Sequence, residues 1–163
     1  LVPYAERCTY LYSPPRQQFL EPLMKNARER FGASTVPTNR RGLGELLKRL
    51  KNGEITGILP DQVPDEGNGV ISQFYGRKAY TMTLIHGLIQ RTDCSVVSGV
   101  ALRAKGGFHI HISPVDSALY SSNADESLLG LNRSVENCIQ MAPEQYQWEY
   151  KRFKKTGEKG IYR

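Results

Sequence analysis

The sequence contains little cysteine, little histidine and no long apolar run. Its 163 residues include three cysteines and three histidines. Cys8, Cys94 and Cys138 are far apart and form no C-x-x-C pair, so we expect neither a disulfide framework nor a zinc site. No apolar stretch approaches the roughly 20 residues that a membrane-spanning helix needs. These features favour a reducing compartment and a chain that holds no metal.

The first residues lack the features of a secretory signal. The stretch LVPYAERCTY has no charged n-region followed by an apolar h-region, and it begins with Leu1 instead of Met. The length suits one domain over residues 1–163 with room for a core. We therefore expect a single, partial domain whose upstream part is missing.

Positive charge is concentrated in two regions. The net charge is +6; residues 151–163 hold six Lys/Arg and one acid, and residues 25–51 hold eight Lys/Arg and two acids. Basic segments of this kind bind phosphates on nucleic acid or anionic lipid, or they remain solvated, and charge alone leaves both interpretations open. No fingerprint of a nucleic-acid-binding module accompanies the charge, so we expect no nucleic-acid partner.

Hydrophobic periodicity predicts an α/β protein with a mixed sheet flanked by helices. The helical pattern over 16–31 includes one apolar stripe and has Gly32 placed to end the helix, and the last helix begins at Pro143. The apolar stripe consists of Phe19, Leu20, Leu23, Met24, Ala27 and Phe31. The predicted helices are 16–31, 42–52, 81–92, 124–141 and 143–155, and the predicted strands are 9–14, 54–60, 70–76, 95–103 and 107–113.

The stretch FHIHISPVD places His111 five residues before Asp116. Glycerolipid acyltransferases carry a catalytic base in such an H-x-x-x-x-D/E pattern. However, about one residue in ten is acidic, so a chance match is common. His111 also lies in a predicted strand, whereas Asp116 lies beyond Pro114. We therefore interpret this pair as accidental.

The segment GILPDQVPDEGNG places Asp61 and Gln62 at the end of a predicted buried strand. Functional groups of α/β proteins collect at such strand ends. In a functional role, Asp61 could orient a base, hold a hydroxyl group or pair with an arginine. In a structural role, it could cap the loop by accepting hydrogen bonds from backbone N–H groups. Spacing alone does not separate these interpretations.

Four segments together carry a family resemblance. RERFG (28–32), GILPDQ (57–62), QFYGRKAYT (73–81) and above all MAPEQYQWEYKRFK (141–154) resemble the late acyltransferases of lipid A biosynthesis, in the same order. The resemblance covers essentially the whole chain. It implies a glycerolipid acyltransferase-like α/β fold that is N-terminally truncated here.

The resemblance also implies an activity. Such enzymes transfer a fatty acyl chain from acyl carrier protein to a hydroxyl of a lipid A precursor, at the cytoplasmic face of the inner membrane of Gram-negative bacteria. They need no cofactor, because a histidine oriented by an acid deprotonates the acceptor hydroxyl. In the family this His motif precedes the RERFG-like segment. We therefore expect it upstream of Leu1, together with a membrane anchor, and we expect this chain alone to be inactive.

Several side chains are expected to bind ligands. By the same resemblance, Arg30, Asp61 and Gln62 are predicted to contact substrate, with Arg30 suited to phosphate or thioester oxygens. Arg77 follows Gly76 at the end of a predicted strand, and it is predicted to contact a phosphate of the substrate. Four cations near the end are predicted to contact the anionic membrane surface or the acyl carrier protein: Lys151, Arg152, Lys154 and Lys155. The alternative is a non-catalytic module that binds anionic lipid or the carrier protein.

Overall fold

The α/β class is confirmed in the structure of the protein, a computed structural model. It describes residues 2–13, 15, 17–157 and 160–162, with side chains from residue 4 onward. The described residues form four α-helices and three two-stranded sheets, of which one is parallel and two are antiparallel. The chain divides into two compact units, Leu1–Ile58 with Arg91–Cys94 and Leu59–Gln90 with Ser95–Arg163. A single domain over 1–163 stays a prediction.

The first unit is built on a parallel strand pair. Strand β1 (Thr9–Tyr12) pairs with β2 (Ser34–Pro37). The connection contains a 3-10 turn (Gln18–Leu20) that leads into helix α1 (Glu21–Glu29), and helix α2 (Arg40–Lys51) follows β2. This order is a strand–helix–strand crossover, the connection that parallel strands require.

Helix α2 is specified locally by its ends. The Asn39 side chain caps the helix by accepting a hydrogen bond from the Gly42 N–H at 3.0 Å. At the other end Gly53 has a φ of +76°, which favours glycine and stops the helix. Leu46 is fully buried on the inner face. The predicted helix over 42–52 is thus confirmed, with an earlier start.

Helix α1 differs from its prediction in extent. Residue 16, where the prediction begins, lies outside the described residues, and the α-helix ends at Glu29. None of its residues is buried, and the apolar side chains of Phe19 and Leu23 are 77% and 68% exposed. The apolar stripe therefore lies at the surface of the first unit at these two residues.

The predicted buried strand over 54–60 is also wrong. The chain touches β1 through one isolated bridge between Cys8 and Ile55, and then leaves it. Gly57 follows beside the Tyr10 ring, and Leu59 is exposed before Pro60. Glycine weakens a strand and proline cannot donate to a ladder, which explains why the pairing stops after one residue.

The second unit contains two antiparallel hairpins and two helices. Strands β3 (Gly69–Phe74) and β4 (Arg77–Met82) form the first hairpin, and β5 (Val97–Ala104) and β6 (Gly107–Pro114) form the second. Helix α3 (Leu84–Thr92) lies between the hairpins in sequence, and α4 (Ala124–Gln140) follows them. The predicted hairpin across Gly106 is confirmed. The predicted helix over 81–92 begins only at Leu84, because the two residues before Thr83 complete β4.

The turn between β3 and β4 is fixed by α4. Tyr75 and Gly76 have φ values of +49° and +70°, the pattern of a tight two-residue hairpin turn. A positive φ is unusual for tyrosine. Glu136 of α4 accepts a hydrogen bond from the Tyr75 N–H at 2.6 Å, and its carbonyl accepts one from the Tyr75 hydroxyl at 3.3 Å. These contacts hold the first hairpin against α4.

Helix α4 provides the core of the second unit. The Asn123 side chain caps its first turn, and its inner face buries Leu128, Leu131 and Val135, among others. A compact cluster of Phe74, Ala79, Val135 and Ile139 joins the hairpin to the helix, with Tyr146 and Phe153 packed against it.

The predicted last helix is wrong. A 3-10 turn (Pro143–Gln145) is followed by turns through residue 156. The backbone is extended at Tyr146, and the Trp148 indole donates back to the Pro143 carbonyl at 2.8 Å. Aromatic packing and side-chain bonds thus override the helical pattern, which leaves residues 146–155 as an irregular strap.

Candidate functional site

The strap, defined as residues 146–155, contacts the Asp61 loop, where the sequence predicted substrate-binding groups. The Tyr150 hydroxyl accepts a hydrogen bond from the Val63 N–H at 2.8 Å. The Lys155 ammonium donates to the Pro64 carbonyl at 2.8 Å. The strap is therefore bonded to the loop that directly follows the GILPDQ segment.

Arg152 of the strap is the polar centre of this region. It is only 2% exposed. Its guanidinium donates to the Tyr80 carbonyl at 2.8 Å, to the Thr81 hydroxyl at 3.2 Å and to the Asn132 side-chain oxygen at 3.4 Å. It also lies over the Phe74 ring, 5.2 Å from the centroid. One side chain thus joins the strap to β3, β4 and α4.

The burial of Arg152 corrects one prediction. A guanidinium that is almost completely enclosed and bonded to three protein oxygens does not reach a lipid headgroup or a carrier protein in this structure. Its neighbours Lys151, Lys154 and Lys155 are exposed. Their ammonium groups lie 5.6, 5.0 and 5.7 Å from the ring centroids of Tyr162, Tyr150 and Tyr80. Contact of these three lysines with membrane or carrier protein stays a prediction.

Asn132 supports the arginine from α4. Its amide nitrogen donates to the Gln73 carbonyl at 2.8 Å and to the Thr81 hydroxyl at 3.0 Å, and its oxygen faces Arg152. Asn132 interrupts the apolar inner face of α4 and is 1% exposed. A buried polar residue needs partners, so this interruption was the sequence signal that could have indicated an interior polar network.

Electrostatics link Asp61 to this network. Burial, followed by the negative charge of Asp61, raises the pKa of Tyr146 to about 12. Burial lowers the pKa of Arg152, while Tyr146 and Asp61 act in the opposite direction. The Tyr146 hydroxyl and the Arg152 Nε are both buried without a hydrogen-bond partner among the described residues. The carboxylate therefore lies close enough to influence two groups that retain unused hydrogen-bonding capacity.

An aromatic pocket of about 370 Å³ opens beside the network. Arg77, the first residue of β4, is exposed and lines it, and Arg152 contributes from the interior. The remaining lining residues are mainly aromatic or apolar: Phe74, Tyr146, Trp148, Tyr150, Phe153, Gly160, Ile161 and Tyr162. Apolar walls with one exposed cation suit a ligand that combines a hydrocarbon part with an anionic group.

Trp148 is more exposed than core packing requires. Its side chain is 54% exposed, although its ring lies 4.9 Å from Tyr146 and 6.3 Å from Tyr75. Tyr146 packs against the core cluster, whereas Trp148 forms part of the pocket wall.

The predicted substrate-binding residues are divided between the units. Arg30 lies in the first unit, directly after α1, where it is exposed and its guanidinium lies 5.2 Å from the Phe31 ring centroid. In the second unit Arg77 lines the pocket, Asp61 lies near the network and Gln62 is exposed in the loop. Substrate contact by these four residues stays a prediction.

The pair His111 and Asp116 does not form a catalytic dyad here. One Asp116 carboxylate oxygen accepts a hydrogen bond from the Ala118 N–H at 2.9 Å, and the other forms a salt bridge with Arg133 at 3.0 Å. No hydrogen bond or ion pair joins Asp116 to His111 in the part of the chain that the structure describes. The acid is used to cap a 3-10 turn (Ser117–Tyr120) and to anchor it to α4, which supports the interpretation of the motif as accidental.

Among the described residues, no group of three or more His, Cys, Asp or Glu side chains could hold a metal ion. No helix within them combines the length and the hydrophobicity of a membrane span.

Comparison with known proteins identifies the family. The profile of the bacterial lipid A biosynthesis acyltransferases matches residues 1–155. The lipid A biosynthesis lauroyltransferase of Escherichia coli is 28% identical over 151 residues, which are 91% of this chain and 49% of that protein. The Haemophilus influenzae lipid A biosynthesis acyltransferase (92% of this chain, 48% of that protein) and the Escherichia coli lipid A biosynthesis palmitoleoyltransferase (93% and 50%) are each 25% identical.

The chain therefore belongs to the bacterial lipid A biosynthesis acyltransferase family. It spans about half the length of the curated relatives that it matches. The predicted resemblance is confirmed, and acyltransferase ancestry is shown at the level of the family.

Proposed function

We propose that this chain takes part in the transfer of a fatty acyl group from acyl carrier protein to a hydroxyl of a lipid A precursor, at the cytoplasmic face of the bacterial inner membrane. The observation that supports this most is the meeting of two family-like segments, QFYGRKAYT and the strap, around one network and one pocket, with the strap bonded to the loop that directly follows GILPDQ. Family membership supplies the reaction class. The pocket supplies a place for an acyl chain or an anionic lipid group.

The proposed reaction proceeds by direct attack. A base takes the proton of the acceptor hydroxyl, the oxygen attacks the thioester carbonyl, and the thiol of the carrier leaves. Arg77 at the pocket is suited to a phosphate of the acceptor. Asp61 is suited to hold a hydroxyl or to orient a base. No cofactor is required by this sequence of steps.

We place the base outside these 163 residues. The one H-x-x-x-x-acid match in the sequence is His111 with Asp116, whose carboxylate is occupied elsewhere. On this proposal the chain alone does not turn over, and it needs polypeptide corresponding to the half of the relatives that it does not match. Access to the membrane would then come from its own surface and from that other half.

The test joins this chain to the unmatched half of the Escherichia coli lauroyltransferase. The assay measures transfer of a radiolabelled acyl group from acyl carrier protein to a lipid A precursor. It is run with the chain alone, with the chimera, and with the chimera carrying Asp61→Asn or His111→Ala. We expect turnover only in the chimera, a large loss with Asp61→Asn and little change with His111→Ala. Full turnover by the 163 residues alone would refute the assignment of the base.

A non-catalytic binding module is the second candidate. It is favoured by the exposed Lys151 and Lys154, which accompany a pocket without a catalytic dyad among the described residues. This candidate predicts binding to anionic vesicles or to acyl carrier protein that weakens with salt, together with an inactive chimera. Turnover by the chimera would decide against it.

A further inference from the structure

Helix α1 presents an apolar surface to solvent. Phe19, Leu23 and Ala27 are spaced four residues apart, so they form one stripe along the 3-10 turn and the helix that continues it. All three are exposed, and the Phe31 side chain just beyond the helix is 55% exposed. Large apolar side chains that remain grouped in water mark an interaction surface.

The charges around this stripe are of one sign. Every exposed charged residue from Gln17 to Phe31 is a cation: Lys25, Arg28 and Arg30. The two acids of the segment are only partly exposed. Glu29 is turned towards β2, where its carboxylate accepts hydrogen bonds from the Thr35 hydroxyl at 2.6 Å and the Thr35 N–H at 3.1 Å. The surface therefore offers an apolar stripe with cations beside it.

From this arrangement we infer that α1 docks the first unit onto an anionic lipid surface. A helix that combines Phe and Leu on one side with Lys and Arg beside them lies in the membrane interface, with its apolar face inserted and its cations at the headgroups. A second copy of this chain is a poorer occupant, because two α1 surfaces would bring the same positive charges together. The inference extends the membrane location proposed above, but it depends only on the surface of α1.

The test uses the 163-residue chain and sucrose-loaded vesicles of phosphatidylcholine, with or without about 30% phosphatidylglycerol. The apolar variant carries Phe19→Gln and Leu23→Gln, and its control carries Ile110→Gln and Ile112→Gln, which remove equally exposed side chains from β6 (65% and 63%). The charge variant carries Lys25→Gln and Arg28→Gln, and its control removes two exposed α2 cations, Lys48→Gln and Lys51→Gln. Circular dichroism checks that every variant is folded.

We expect the wild-type chain to sediment with anionic vesicles and much less with neutral ones. The apolar variant should bind at least about tenfold more weakly. The affinity of the charge variant for anionic vesicles should fall on the order of 30-fold at low salt. The affinities of both controls should lie within about threefold of the wild-type value.

Three outcomes would overturn the inference: no binding to anionic vesicles, equal binding to neutral ones, or α1 variants that bind like wild type. A fourth outcome assigns the stripe to a protein contact instead. That result is a dimer, seen by analytical ultracentrifugation, that the apolar variant abolishes while vesicle binding is unchanged. The acyl-transfer assay of the chimera is independent of all four outcomes, so the failure of either proposal can be recognised separately.

Discussion

Replacing Arg152 by methionine tests whether one buried guanidinium organises the second unit. Methionine retains much of the apolar stem but donates no hydrogen bond. The Tyr80 carbonyl, the Thr81 hydroxyl and the Asn132 oxygen each lose a donor. Thr81 and Asn132 still bond to each other, since the Asn132 amide also donates to the Thr81 hydroxyl at 3.0 Å. The Tyr80 carbonyl, which accepts the shortest of the three bonds, therefore loses most.

The expected cost follows from these contacts. A hydrogen bond from a charged donor contributes about 1.5–3 kcal/mol, but bonds within one network are not additive. Methionine also removes the cost of burying a charge, which offsets part of the loss. We therefore expect Arg152→Met to lower the free energy of unfolding by about 2–4 kcal/mol. For a chain of this size that is a fall in Tm of roughly 5–15 °C.

The only tryptophan of the chain, Trp148, reports on this change because it lies in the same unit. Its fluorescence is followed through urea unfolding for Arg152→Met, Arg152→Lys and the control Lys151→Met, which removes the exposed cation next to it. The free energy of unfolding of Lys151→Met should lie within about 0.5 kcal/mol of the wild-type value. That of Arg152→Lys should lie between the values of wild type and Arg152→Met, because an ammonium keeps the charge but cannot span three acceptors.

This account would be refuted if the free energy of unfolding of Arg152→Met lay within about 0.5 kcal/mol of that of Lys151→Met. The strap would then be held by its aromatic contacts and by its bonds to the Asp61 loop, and the guanidinium would add nothing measurable. A large loss shared by Lys151→Met would be equally damaging, because it would show that net charge, and not the buried contacts, stabilises the unit.

Three further predictions address other parts of the chain. The pKa of Tyr146 rises from 10.0 to about 12 on folding, so its stabilising contribution is present below pH 10 and is lost as pH rises towards 12. The free energy of unfolding, measured in urea between pH 9 and 12, should therefore fall by about 2–3 kcal/mol, and Tyr146→Phe should make this fall smaller. A Cβ on Gly130 would lie 2.4 Å from a backbone nitrogen of the adjacent 3-10 turn; Gly130→Ala should cost at least about 2 kcal/mol, whereas Gly44→Ala, with open space around it, should gain about 0.5–1 kcal/mol. The hydrogen bond from the Thr35 hydroxyl lowers the pKa of Glu29 below its ordinary 4.5. Protonation of Glu29 should therefore destabilise the first unit, and the helical circular dichroism of the chain should weaken as pH falls below that value. Glu29→Gln should reduce this pH dependence.

Local patterns in the sequence predicted the elements whose causes are local. Helix α4 has a capping Asn123 and a regular apolar face, and the second hairpin has alternating side chains around Gly106. The strap could not be predicted in this way, because its helical pattern competes with contacts to Pro143, to the Asp61 loop and to β4 that are distant in sequence. The β4 strand was hidden for a similar reason. Its side chains gain from pairing with β3, which no window of β4 alone reveals.

The strap was also where the sequence indicated the wrong role for a residue. Arg152 stands among three other cations, and nothing in the run YKRFKK separates the one that is buried from those that are exposed. The positions of Phe74, Tyr80, Thr81 and Asn132 decide this, since they surround the guanidinium. A segment can therefore carry the most specific family resemblance because it holds the pocket wall in place. Substitutions in the strap that abolish acyl transfer in a chimera would then show loss of structure as readily as loss of substrate contact. The two effects separate only when unfolding by Trp148 fluorescence is measured on the same variants: an inactive Arg77 variant with wild-type stability would indicate ligand binding, whereas an inactive Arg152 variant would be expected to unfold early.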